Sequence, residues 1–276
     1  PDMIILGHSD IIKNSTLEKI RIILPNCKII MWNVDHLLIN NTLNKLQDRS
    51  LFVDQCFITT GDKMISEAAV NGMNVSYIPN IFDNSIDTLK VFNNNDYRYD
   101  IFFAMSHGVA SGVLKKGKTD GREKKLFTIA SDPLINVNFY GYNNIEPIWA
   151  NKLTTELSHS LMGLNLNSGK AMHLYSSDRI STYMGNGLLT FIDKAYGFDS
   201  IYKKDEFISY ESDEDLIDKI IYYKSNLKEA KKIAEKGWNK SHRDFNSVNV
   251  CDYMINKTLD NNFYSDFWPE ISFVSK

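Results

Sequence analysis

Short, unbroken apolar runs alternate with segments of helical spacing from one end of this sequence to the other, and that alternation leaves few folds open. Met3–Leu6, Lys28–Trp32, Gln55–Thr59 and Val75–Ile78 are strand-like. Between them, Ser15–Leu24 carries Leu17, Ile20, Ile23 and Leu24 at helical spacing, and His36–Leu46 and Asp62–Val70 follow as predicted helices. Continuous apolar strands separated by helices point to parallel βαβ units, because a parallel strand is covered on both faces.

The rhythm breaks over 81–98, where Asn93–Asp96 is polar and turn-like. It then restarts. Strands are predicted at Tyr99–Met105, Val137–Tyr140, Met162–Leu166, Leu188–Ile192 and Phe207–Tyr210, with helices at Glu123–Ile129, Trp149–His159 and Arg179–Met184. Three helices close the pattern, at Glu214–Tyr223, Leu227–His242 and Asn249–Leu259. The expected fold class is α/β, with two Rossmann-like, doubly wound parallel-sheet domains facing a cleft. Residues 1–96 would form the first, 97–260 the second, and the aromatic stretch 261–276 would pack back on the first. The sequence opens at Pro1 and runs at once into a strand, from which we expect further residues upstream.

Ligands of doubly wound sheets bind beyond the carboxyl ends of the strands, so the residues there are the site candidates. In the first domain these include His8, Asp10, Asp35 and His36, and in the second Ser106, His107, Gly141, Tyr142 and Asn165. A His at such a position is either a general base or a helix cap, and Asp35 is either a base or an N-cap. His159, His173 and His242 lack ligand spacing and read as structural or surface residues.

Tyr175–Asp193 is the most pointed segment: a loop, a short helix, a glycine break and a buried strand. Ser176, Ser177 and Asp178 are good N-cap residues, and Gly185 and Gly187 stop the helix. Arg179 falls in the first turn, where a cation opposes the helix dipole. That placement makes sense if an anion is gripped there by the guanidinium and the first amides; otherwise it is an ordinary surface Arg. The basic loop Lys115–Lys125 reads as a solvated face or as a contact for an anionic acceptor or acidic membrane.

A net charge of −3 gives no basic field for nucleic acid, and no run is long enough to cross a membrane as a helix. Cys27, Cys56 and Cys251 are far apart in apolar patterns, and no HxxxH or CxxC cluster occurs, so neither a disulfide framework nor a protein-held metal is expected.

The second half resembles the GT-B glycosyltransferases, in particular the CgeB-like (spore-maturation-protein) group. The likeness runs through Tyr99–Ala104, Phe139–Tyr142, Pro147–Trp149, Met162–Asn167, Asp178–Ile180 with Gly187–Thr190, and Ile201–Tyr223, covering roughly residues 99–246. Pro1–Leu6 and Met31–Asp35 carry a weaker likeness. One departure stands out: where the family has Glu in R-x-F-E, this chain has Thr182, which cannot accept two ribose hydroxyls as a carboxylate can.

The resemblance implies transfer of a sugar from a nucleotide-sugar donor to a glycan or lipid-linked acceptor, with no metal or other cofactor. It implies donor contacts from Arg179, Ser177, Asp178, Ile180, Thr182, Gly141, Tyr142, Ser106, His107 and Asn165, and a base among His8, Asp10 and Asp35 if the reaction inverts. A cytoplasmic protein making peripheral contact with the inner membrane face, acting on a bacterial cell-surface glycan, is the matching expectation. Two alternatives stay open: a sugar-nucleotide epimerase, and a non-catalytic nucleotide- or glycan-binding protein of a surface assembly.

Overall fold

The computed structural model describes residues 1–7, 11–106, 109–110, 113–114, 121–143 and 145–275. In chain order its strands and helices are β1 (Met3–Leu6), α1 (Asn14–Ile23), β2 (Lys28–Asn33), α2 (Thr42–Arg49), β3 (Gln55–Ile58), β4 (Asn74–Tyr77), β5 (Tyr99–Ala104), β6 (Val109–Ala110), β7 (Val113–Leu114), α3 (Arg122–Ala130), β8 (Val137–Tyr140), α4 (Ala150–Leu157), β9 (Ser160–Asn165), α5 (Arg179–Gly185), β10 (Leu189–Asp193), β11 (Ile208–Tyr210), α6 (Asp213–Ser225), α7 (Leu227–Asp244), α8 (Ser247–Leu259) and β12 (Ser272–Phe273).

They build two compact units. Unit 1 comprises Pro1–Ile81, Met172–Ser177 and Ser247–Lys276; unit 2 comprises Phe82–Ala171 and Asp178–Asn246. The chain therefore leaves unit 1 at Ile81, ahead of the Asn-rich 93–96 stretch where the composition had put the boundary. The reason is local: the amide of Phe82 donates to Phe245 O at 3.0 Å and that of Val91 to Asn186 O at 3.0 Å, which ties 82–91 into unit 2. α8 belongs to unit 1, where Tyr253 packs edge-on against Phe57 of β3.

The sheet of unit 1 runs β1-β2-β3-β4-β12, with β1 to β4 parallel and β12 antiparallel to β4. Every residue of β3 is buried, as a parallel strand covered on both faces requires. The closing segment is pinned from below: buried Lys257 meets Glu270 at 2.9 Å, and the Tyr253 hydroxyl donates to the same carboxylate at 2.9 Å.

Unit 2 carries the parallel sheet β11-β10-β9-β5-β8. Its order reverses at β5, with β8 on one side and β9 on the other. α7 covers the sheet with Ala230, Ile233, Ala234, Gly237 and Ser241, all buried at i, i+3, i+4, i+7 and i+11. α6 starts where Ser212 Oγ accepts from Asp215 N at 3.1 Å, with three acids in the first turn.

Two predicted helices changed form. The chain from His36 to Asn41 turns instead of winding, with Asn40 and Asn41 at φ 55° and 61°, so α2 begins only at Thr42. Asn is among the few residues that tolerate this left-handed region. The Asp62–Val70 helix is a 3-10 segment, Lys63–Ala68, capped by Asp62 Oδ1 on Met64 N.

Candidate functional site

The site follows from the reversal in unit 2. Crossovers leave β5 in opposite directions, so the carboxyl ends of β5 and β9 are not roofed by a common connection, and a polar ligand is accommodated there. Three of the candidate segments converge on these ends.

α5 is the first. Asp178 occupies its N-cap, with no side-chain hydrogen bond from the cap itself. Arg179, the first residue of α5, folds inward. Its Nη2 donates to Leu166 O at 3.0 Å, one residue past β9, and its guanidinium lies 5.4 Å from the Phe103 ring of β5. One hydrogen bond and one aromatic face thus fix the cation over the point where the strand order reverses. Ile180 is buried beneath the helix and contributes backbone only. Thr182 Oγ1 donates back to Asp178 O at 3.1 Å, so its one proton is spent inside the helix.

The second segment is the end of β8. Gly141 has φ 72°, and a Cβ there would lie 1.8 Å from Met105 O. Its role in the structure is close packing of the β8 and β5 ends. Tyr142 follows, buried, edge-on to Phe139; burial pushes its hydroxyl pKa up, and the nearby charge of Glu123 adds to that. Ser106 is exposed just beyond β5, and Asn165 closes β9 fully buried.

The third is the start of α3. Arg122 is its first residue, and its positive charge acts with that of Arg179 on the same two hydroxyls, Tyr183 and Tyr196. Burial still dominates at Tyr183, whose pKa is pushed up to about 12 while Ala104 N donates to its oxygen. Tyr196 is hydrogen-bonded to Asn167 just after β9. Arg122 was legible only as one cation of a basic loop. Its charge reaches the same two tyrosines as that of Arg179, 57 positions away.

The unit 1 candidates are placed differently. Asp35 is exposed past β2, its carbonyl accepting from Asn33 Nδ2 at 2.8 Å. His36 is buried, its Nδ1 accepting from Leu38 N and its ring 4.8 Å edge-on from Tyr175. Ser177 closes the segment 172–177, which is built onto the carboxyl ends of β3 and β4. There Thr60 Oγ1 and Gly61 N donate to His173 O, and Asn80 Nδ2 to Ser176 O. His8, Asp10, His107 and Lys115–Lys118 lie outside the described residues. His159 contacts Glu156, and His242 is buried with Nε2 on Gly185 O.

Among the described residues no group of three or more His, Cys, Asp or Glu side chains is placed to hold a metal ion, and no helix is long and apolar enough to cross a membrane.

Comparison with known proteins bears on the fold. Residues 122–256 match the family model Glyco_trans_1_2, described as glycosyl transferase-like. No curated protein matches the sequence. Among solved structures, HepE of Anabaena in complex with UDP-glucose is similar with a TM-score of 0.60 at 13% identity, over 94% of this chain and 79% of that one. The β-glucosyltransferase of phage T4 is similar with a TM-score of 0.52 at 14% identity, over 94% and 82%. Sucrose-phosphate synthase of Thermosynechococcus elongatus gives 0.52 at 9% identity, over 95% and 74%. The fold is that of the GT-B glycosyltransferases.

Proposed function

We propose that this chain is a glycosyltransferase that uses a nucleoside diphosphate sugar, of the UDP class, and holds the diphosphate in unit 2 without a protein-bound metal. The observation that carries the reading is Arg179, held just beyond the carboxyl ends of β9 and β5 by Leu166 O and the Phe103 ring.

In the reaction the bond from the anomeric carbon to the diphosphate oxygen breaks, an acceptor oxygen takes the carbon, and negative charge builds on the departing phosphate. A guanidinium aimed at that charge lowers the barrier without reorganising. Arg179 is pre-aimed because Leu166 O and Phe103 hold it before any ligand arrives. The stretch Gly141–Tyr142 supplies a wall with an aromatic face and a backbone turn, suited to the nucleoside. Asp35, exposed in unit 1, is the described carboxylate offered as acceptor-side base for an inverting reaction. The acceptor is a glycan or lipid-linked glycan of a bacterial surface, and contact with the inner membrane face is peripheral.

The test is a thermal-shift screen with UDP, GDP, ADP, CMP and dTDP on the unaltered chain and on Arg179→Ala. A ligand that binds only the folded state raises its melting point. A shift with UDP that Arg179→Ala abolishes supports the reading; no shift with any nucleotide overturns it.

A further inference from the structure

The far end of α5 carries a second constellation. Its last residue is Gly185, and Asn186 follows. Asn186 is bonded through both its side chain and its backbone. Its Nδ2 donates to Asp87 Oδ1 at 3.1 Å and to Thr182 O at 2.9 Å, its Oδ1 accepts from Leu89 N at 3.1 Å, and its carbonyl accepts from Val91 N at 3.0 Å. The other Asp87 oxygen accepts from Asp83 N at 3.1 Å. Gly185 leaves room for this carboxylate, since a Cβ there would lie 2.8 Å from Asp87 Cγ. His242 of α7 closes the group, with Nε2 2.8 Å from Gly185 O.

Asp87 is 9% exposed and Asn186 6%, so these are buried polar groups satisfied by one another. Burial raises the Asp87 carboxyl, while the Asp83 amide, the His242 charge and the Asn186 amide pull it back. A cluster of this kind is costly to build and specifies one arrangement when complete.

We propose that Asp87 and Asn186 are positioning residues for Arg179: the segment 83–91, clasped to the far end of α5, sets the helix and so the aim of that guanidinium. The helix is seven residues long, so its two ends are about 10 Å apart at 1.5 Å per residue, and a tilt at one end moves the other. Neither residue reaches the ligand. Each acts through the helix. This inference rests on the diphosphate reading above.

The experiment measures UDP affinity by titration calorimetry, with melting points alongside, for the unaltered chain and for Asp87→Ala, Asn186→Ala, Asp87→Asn, Arg179→Ala and Ile220→Ala. Ile220 is fully buried in the α6 core, away from α5, and reports what general destabilisation does. Expected are loss of binding in Arg179→Ala and weakening of about tenfold in Asp87→Ala and Asn186→Ala, as misplacement of a binding group produces. Asp87→Asn, which keeps an acceptor oxygen, should fall in between, and Ile220→Ala should bind UDP as the unaltered chain does. Full affinity in Asp87→Ala and Asn186→Ala, or equal weakening in Ile220→Ala, overturns the positioning role. Should both alanine variants fail to fold, Asp87→Asn decides it by the same comparison. Full affinity in Arg179→Ala overturns the diphosphate reading itself.

Discussion

Arg179 and the carbonyl of Leu166 are joined by a 3.0 Å hydrogen bond that fastens the first side chain of α5 to the residue just past β9. The guanidinium carries five N–H groups in a planar fork, which suits it to bridge a carbonyl and an anion at once. Arg179→Lys keeps the charge but cannot hold the carbonyl and two phosphate oxygens in one plane. UDP affinity should fall about tenfold or more, against little change in melting point without ligand; wild-type affinity in this variant would sink the bidentate role.

Gly141 should tolerate nothing larger. Alanine would place its Cβ 1.8 Å from Met105 O, which is backbone and cannot rotate away, at a φ of 72°. Gly141→Ala is expected to cost about 3 kcal/mol or more, since left-handed strain and a core clash add. Denaturant titration of the variant checks this, and an unchanged midpoint would show that β8 can move relative to β5.

Asp244 gives a pH signature. It is buried, which raises its carboxyl, but the Arg243 guanidinium and the Lys240 ammonium pull harder and the net shift is down from 3.8. A carboxyl lowered in the folded state stabilises above its ordinary pKa, and that stability is lost as pH falls through the folded value. The gap in unfolding free energy between the unaltered chain and Asp244→Asn should therefore be widest near neutral pH and shrink as pH falls below the ordinary carboxyl range of about 4. A gap independent of pH would show that the pair contributes nothing through charge.

Glu270 tests the closing segment. Lys257 is 3% exposed at its side chain, and Glu270 is its counter-ion. Glu270→Ala leaves a buried ammonium with carbonyl partners alone, at a cost of about 3 kcal/mol, whereas replacing both with apolar groups should be closer to neutral. Limited proteolysis after residue 260 is the direct readout; resistance equal to the unaltered chain would refute the pin.

Much of the architecture was readable from periodicity. Strands β1 to β5 and β8 to β11 fall within a residue or two of the apolar runs that announce them, because a buried parallel strand has little choice of composition. The His36–Leu46 stretch misled for a stated reason: its apolar spacing is helical, but Asn40 and Asn41 turn left-handed and break it. Unit membership was harder. Nothing in the composition of 82–91 says that Asp87 will meet Asn186, 99 positions on, or that Met172–Ser177 will be built onto β3 and β4. Those are pairings between short polar segments, and polar segments carry no period. Arg179 drew notice because a cation at a helix start runs against the dipole. Arg122 did not, since it was one cation among several in a basic loop.

The discontinuity of unit 1 bears on how the protein is made. Its sheet is not complete until β12, and its Phe57 is not covered by Tyr253 until α8 exists. Unit 2 ends at Asn246, so on the ribosome its residues are all available while unit 1 still waits for 247–276. Strands β1 to β4 precede unit 2 in the chain, yet their sheet is finished after it. During that interval β4 has an open edge and β3 an uncovered face, and this window, rather than the mature fold, is where a holding chaperone would matter most.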